Sequence, residues 1–196
     1  VGVSGASVEE LSKESETRTA YKEFVTSLQS VARIAAQTDA KIICPAIFWM
    51  QGEFNYDPNP EKGLRANVPN TTEKREYKKL LVNIKNNMQK DIQRQYGQTD
   101  KPVFITYQTG AQYMRDTLSI SMAQLEAANE YDDIICAGPI YPMTDRGGHL
   151  DSNGYRWFGE MLGKVYYQSQ VQGKPFQPLQ PTVIARETLP TQIRIK

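Results

Sequence analysis

The feature that most constrains this chain is a regular change of hydrophobic period along it. Tyr21, Phe24, Val25, Leu28, Val31, Ala32 and Ala35 recur at spacings of three and four, one face of an amphipathic helix of about five turns. Tyr77, Leu80, Leu81, Ile84, Met88 and Ile92 mark a second helix, with Thr71 or Thr72 as its cap and Gly97 as its stop. Shorter helices are predicted around Ser119 to Asn129 and from about Asn153 to Gln168. Between them lie short dense runs that read as buried strands. These are the strand end Val1 to Val3, the run Lys41 to Trp49 interrupted by Pro45, Pro102 to Tyr107, and Asp133 to Ala137. Residues 54 to 72, rich in Asn, Pro and Gly, read as a long loop. Strands that alternate with helices predict an α/β fold with a parallel sheet covered on both faces. In such sheets functional groups gather at the carboxyl ends of the strands, which singles out the loops after Val3, Trp49, Tyr107 and Cys136.

Size and charge narrow the function classes. A chain of 196 residues with 39% hydrophobic residues has enough apolar material for one ordinary core. Its net charge of +1 supplies no broad field toward nucleic acid, and no apolar run approaches the roughly 20 residues that span a bilayer. The opening Val1-Gly2-Val3-Ser4 has neither an initiator Met nor the order of a signal peptide, so the chain reads as cut from something longer. Cys44 and Cys136 each sit in an apolar run and read as buried thiols. Residues 1 to 170 form the expected main domain. From residue 171 a proline-spaced linker leads to Gln192-Ile193-Arg194-Ile195-Lys196, an alternating strand that is the start of a possible β-rich accessory domain.

Three groups of residues carry chemistry. His149, the only histidine, lies in the glycine-rich stretch Thr144-Asp145-Arg146-Gly147-Gly148-His149-Leu150-Asp151 after a predicted strand, surroundings that suit a general base as well as an exposed structural side chain. Phe48-Trp49-Met50-Gln51-Gly52-Glu53 runs a strand into an amide and a carboxylate; it reads equally as turn chemistry or as a group that orients an imidazole. Ser4-Gly5-Ala6-Ser7 is a small-residue turn that suits a tight bend or an oxyanion hole. One histidine and two separated cysteines offer no metal-ligand cluster, and there is no phosphate loop or dinucleotide fingerprint.

Taken in order, these pieces resemble the sialate O-acetylesterase-like carbohydrate esterases of the SGNH hydrolase superfamily. Ser4-Gly5-Ala6-Ser7-Val8 matches the family's second block, and Trp49-Met50-Gln51-Gly52-Glu53 its Trp-x-Gln-Gly-Glu strand end. Tyr77, Lys101-Pro102-Val103-Phe104 with Gln108, and His149-Leu150 with Gly154-Tyr155 match the motifs that follow, so the match spans roughly residues 1 to 168. The resemblance implies a three-layer α/β/α sandwich with a parallel, flavodoxin-like sheet. It also implies a serine esterase that removes O-acetyl groups from glycans with no cofactor. His149 would be the base, Glu53 or Asp145 its orienting carboxylate, and Gly5 and Gln51 the oxyanion site, with Ser4 and Trp49 beside the substrate. Trp49, Phe54, Tyr56 and Tyr113 are the candidate sugar platforms. Two departures stand out. The block that carries the nucleophilic serine is missing, which places it on a segment preceding Val1 unless Ser4 is itself the nucleophile. Arg146 occupies the position three before His149 where the superfamily has Asp, which favours Glu53 over Asp145. The rival expectation is a non-catalytic glycan-binding or structural module of a larger assembly, such as a phage tail or cell-surface protein. Either reading implies an extracellular, cell-surface or virion setting, and partners in an acetylated polysaccharide, the missing segment and the accessory domain, with neither nucleic acid nor membrane insertion.

Overall fold

The computed structural model describes residues 2–56, 68–110, 118–146 and 149–178, together with the backbone of 184–186 and 193–195. The protein is mixed α/β. Its elements run α1 (Ala20–Gln37), β1 (Ala46–Phe48), α2 (Lys74–Tyr96), β2 (Val103–Gln108), α3 (Ser119–Glu130), β3 (Ile134–Pro139), β4 (Asp145–Arg146), β5 (His149–Leu150), α4 (Ser152–Tyr166), β6 (Ile184–Arg186) and β7 (Ile193–Ile195). β1, β2 and β3 form a parallel sheet in that order, with Ile47 beside Phe104 and Ile105 beside Ile135.

Because successive strand residues point to opposite faces, each apolar run feeds two cores. Ile47, Phe104 and Ile134 lie under Tyr77, Leu81 and Ile84 of α2 and Ile120 and Ala123 of α3. Val103, Ile105 and Ala137 point the other way and pack with Val165 of α4, while Tyr107 joins Ile140, Leu150 and Phe158. Helices therefore cover both faces of the sheet, and Leu28 of α1 reaches the first core as well. Cys44 and Cys136 are both free; burial pushes the Cys136 thiol up to about 11, so at neutral pH it packs as a protonated apolar group.

Several expected boundaries move for identifiable reasons. Gly2 and Val3 are not in a strand. Pro45 has no N–H, so it closes the ladder only as an acceptor, from Val103 N–H at 3.0 Å, and β1 is confined to the three residues after it. Thr71 and Thr72 do not cap α2. The helix starts at Lys74 behind Glu73, and the Thr71 hydroxyl instead accepts Glu73 N–H at 3.2 Å. Gly97 ends α2 as expected, at φ 64°. Within the expected loop of residues 54 to 72, Phe54–Tyr56 forms a 3-10 turn and 57–67 lie outside the described residues. The segment around His149 is not a plain loop: Asp145 pairs with Leu150 and Arg146 with His149, antiparallel. α4 runs on into a π turn, Tyr167–Val171, and β7 pairs with β6.

Two further contacts hold the frame and can be checked. The buried Asp91 carboxylate accepts from Lys13 Nζ at 2.8 Å, Tyr21 OH at 3.0 Å and Arg94 Nη2 at 2.9 Å. Burial alone would push its carboxyl up, but the bonds from Lys13 and Tyr21 outweigh it and hold it below the ordinary carboxylate value. A depressed folded value stabilises above the unfolded value of about 3.9 and is lost as pH falls through the folded one. Unfolding free energy should therefore drop on acidification below about pH 4, and Asp91→Asn should flatten that drop in urea titrations. The second contact is Gly154 in the first turn of α4, where a Cβ would overlap the Thr144 carbonyl oxygen and lie 3.1 Å from Leu150 Cβ. Gly154→Ala should cost about 1–3 kcal/mol in the same titrations by forcing the His149 hairpin off the helix.

Candidate functional site

The site is assembled where the sequence directs strand ends to one edge of the sheet. β1 runs into Gln51-Gly52-Glu53, β2 into Thr109-Gly110, and β3 into the turn that leads to β4 and β5. β3 carries one extra residue opposite β2, between the pairs Thr106–Cys136 and Gln108–Pro139, and Gly138 takes it up at φ 121°. Gly110 then lies against the next turn so closely that a Cβ there would sit 3.1 Å from Tyr141 N.

Glu53 is held by one oxygen. Its Oε1 accepts from Tyr107 OH at 2.6 Å and from Thr109 Oγ1 at 2.9 Å, and among the described residues its Oε2 has no partner. Burial, with the Glu53 carboxylate beside it, pushes the Tyr107 hydroxyl well above its ordinary value, so at neutral pH it stays protonated and donates. The Tyr107 ring also meets Phe158 of α4 edge-on at 5.3 Å and shares a cluster with Leu150. Tyr107 thus touches Glu53 at its hydroxyl and, through its ring, the elements that carry His149.

Gln51 is buried and fully engaged. Its Nε2 donates to Ala6 O at 3.1 Å and Asn55 Oδ1 at 2.7 Å, and its Oε1 accepts from Tyr77 OH at 2.9 Å. Both N–H groups being occupied, the amide that the sequence offered as an oxyanion donor is instead a structural tie. It fixes the Ser4-Gly5-Ala6-Ser7 turn to the Gln51–Asn55 turn, helped by Val8 N–H to Asn55 Oδ1 at 2.9 Å. In that small-residue turn Ser7 N–H goes to Glu10 Oε2 at 3.1 Å, while the N–H groups of Gly5 and Ala6 have no partner among the described residues. Gly5 adopts φ 53°, and Arg18 Nη1 and Nη2 bond the carbonyls of Ser4 and Gly5 at 3.3 and 3.5 Å. Ser4 itself is exposed.

His149 is exposed on β5, and among the described residues no hydrogen bond or ion pair joins it to Glu53 or Asp145. Its cross-strand neighbour is Arg146; Asp145 is paired with Leu150 and so belongs to the other face of the hairpin. Asp151 caps α4, its Oδ1 accepting from Thr144 Oγ1 at 2.6 Å and Gly154 N–H at 2.8 Å; the Thr144 bond, then Gly154, holds its carboxyl below the ordinary range. Of the sugar platforms, Tyr56 is buried with its hydroxyl 3.3 Å from Ser121 Oγ, which removes it from that role. Trp49 is half-buried and its ring lies 5.8 Å from Phe104, against the core. Phe54 is half-buried, and Tyr113 lies outside the described residues. The sequence reading missed Tyr141, which is 67% exposed beside Gly110 on this edge. It missed Tyr107 and Thr109 too, although two hydroxyls at the end of a β-branched run were a usable signal. Among the described residues no group of three or more His, Cys, Asp or Glu could hold a metal ion, and no helix is long and apolar enough to cross a membrane.

Compared with protein-family models, curated proteins and solved structures, the chain matches none. The step most open to test is Gly52, at φ 151°, where a Cβ would lie 2.9 Å from Gln124 Nε2 and 3.1 Å from Thr109 Cβ. Gly52→Ala should cost about 1–3 kcal/mol in denaturant titrations, whereas Gly159→Ala, in the interior of α4 and meeting nothing within 4 Å, should stabilise by about 0.5–1 kcal/mol.

Proposed function

We propose that this chain is the histidine- and carboxylate-bearing part of an SGNH-type carbohydrate esterase that removes O-acetyl groups from glycans. Its fold would be the three-layer, flavodoxin-like α/β/α sandwich of that superfamily, with the nucleophilic serine on a segment preceding residue 1. The observation that carries the reading is Glu53: a carboxylate at a strand end, gripped through Oε1 with Oε2 left over among the described residues, and held by Tyr107, whose ring packs with Leu150, the residue after the only histidine.

In this mechanism His149 Nε2 takes the serine proton as Oγ attacks the acetyl carbonyl, and Glu53 Oε2 accepts from the imidazole Nδ1–H. The oxyanion is met by the N–H groups of Gly5 and Ala6, which Gln51 holds in place through Ala6 O. The imidazolium then returns the proton to the departing sugar hydroxyl, and water, deprotonated by the same histidine, releases acetate. Nothing in these steps calls for a cofactor. Tyr141, exposed beside Gly110, is the aromatic side chain a sugar ring would meet at this edge, and an acetylated polysaccharide met outside a cell, at its surface or on a virion is the substrate class. Asp145, on the other face of the hairpin, is the weaker candidate for orienting the imidazole.

A second reading is favoured by one observation: among the described residues no serine, threonine or cysteine is hydrogen-bonded to His149. On that reading the domain is a glycan-binding or structural module of a larger surface or phage-tail assembly. Hydrolysis of p-nitrophenyl acetate separates the two. The 196 residues alone should be near background, and the same domain with its upstream segment should be active. In the extended protein His149→Ala should lower kcat by at least about 1000-fold and Glu53→Gln by about 100-fold or more. Activity of the isolated chain that Ser4→Ala abolishes would make Ser4 the nucleophile; an inert extended protein that still binds acetylated glycan would establish the binding module.

A further inference from the structure

We infer that Tyr107 and Thr109 are positioning residues that select which oxygen of Glu53 does the work, an inference that rests on the esterase reading for its kinetic consequence but not for its geometry. Both hydroxyls converge on the same atom, Oε1, from consecutive odd positions at the end of β2. A carboxylate with one oxygen held by two donors cannot rotate without breaking both bonds, so Oε2 is presented in a fixed direction as a single acceptor.

Neither donor is free to drift. Tyr107 is fully buried, with its ring edge-on to Phe158, and its hydroxyl stays protonated, so it has a hydrogen to give and no charge to oppose Glu53. Thr109 is pinned from behind: its N–H donates to Gln124 Oε1 at 2.8 Å, and the same Gln124 amide gives Nε2 to Gln51 O at 2.7 Å. Glu53 follows Gln51 by two residues, so Gln124 holds the clamp and the chain it grips to one reference point. The ring and the hydroxyl of Tyr107 serve different partners. The ring supports Leu150, next to His149, and the hydroxyl aligns Glu53.

The test uses isosteric pairs that remove hydroxyls while keeping volume: Tyr107→Phe, Thr109→Val, and Thr109→Ser as the hydroxyl-retaining control. In the 196-residue chain the Glu53 side-chain carboxyl carbon gives an NMR signal assignable by its loss in Glu53→Gln, and the sole histidine gives one imidazole signal. Tyr107→Phe and Thr109→Val should each move the Glu53 signal, and Thr109→Ser should restore it. In the extended protein kcat should fall about 10- to 100-fold in both hydroxyl-less variants, the scale of a small misplacement, with KM changed less than about twofold. The inference is overturned if Glu53→Gln depresses the rate while both hydroxyl-less variants keep the wild-type kcat and carboxyl signal. It stands, and the esterase role of Glu53 falls instead, if the carboxyl signal moves in both variants but Glu53→Gln leaves the rate and the imidazole signal untouched. Should Tyr107→Phe fail to fold, the Thr109→Val and Thr109→Ser pair decides alone.

Discussion

The edge of this sheet depends on the backbone carbonyl and side-chain amide of one residue, Gln51. Its carbonyl oxygen accepts from Tyr77 OH of α2 at 3.1 Å and from Gln124 Nε2 of α3 at 2.7 Å, and its side chain ties in Ala6, Asn55 and Tyr77 again. Four segments, α2, α3, the turn at Ala6 and the turn at Asn55, are thereby referred to one buried point just past β1. Burying so many polar groups is tolerable only when each finds a partner, and removing one leaves the others with a desolvation cost of about 1–3 kcal/mol. The turn that carries Glu53 is consequently fixed from below by Gln51 and from the side by Tyr107 and Thr109.

The layout of the fold could be read from periodicity because that signal is local. Val103, Phe104, Ile105 and Tyr107 of β2 are each packed in a cluster with helix residues on one face or the other, and a run rich in apolar and aromatic side chains says so directly. Helix α1 was legible for the same reason. What failed was the reading of ends, where one side chain decides. Pro45 truncates β1 by lacking an N–H, and Glu73 displaces Thr71 from the start of α2. At the edge, His149 and Glu53 could be proposed since each follows a strand in a parallel sheet. The role of Gln51 could not: three of its partners, Tyr77, Ala6 and Gln124, lie 26, 45 and 73 positions away, and only the fold reveals that its donors are occupied. Tyr107 was hidden differently, inside a run whose hydrophobicity explained it already, and only Thr109, just past the end of that run, stood out as a hydroxyl.

The same contrast governs the small-residue turn. Glycine and serine in Ser4-Gly5-Ala6-Ser7 were compatible with a tight bend or an anion site, and the structure shows the bend, with Gly5 at φ 53°. Glu10 and Asn55 take the N–H groups of Ser7 and Val8, and Arg18 neutralises Glu10 at 2.9 Å while gripping the carbonyls of Ser4 and Gly5. Those bonds satisfy the far side of the turn. The N–H groups of Gly5 and Ala6 are the remainder among the described residues, adjacent in sequence and backed by Gln51 through Ala6 O.

Which carboxylate would serve His149 then follows by elimination among three. Asp151 follows the histidine by two residues, but its Oδ1 is engaged by Thr144 and Gly154 at the start of α4, where withdrawing it would uncap the helix that Tyr107 packs against. Asp145 is closer along the hairpin than in space, because a two-residue antiparallel pair puts it on the face of Leu150 and gives the face of His149 to Arg146. A one-residue change of register would exchange those faces, yet Leu150 is buried in the cluster with Tyr107 and Phe158, and burying His149 there instead would strand a polar ring among apolar ones. The hydrophobic contact of Leu150 therefore fixes the side on which the imidazole emerges. That side is the face of the hairpin opposite the Tyr107 cluster, and Glu53, held through Oε1 by the same tyrosine, is the one of the three carboxylates engaged neither at the start of α4 nor in the hairpin.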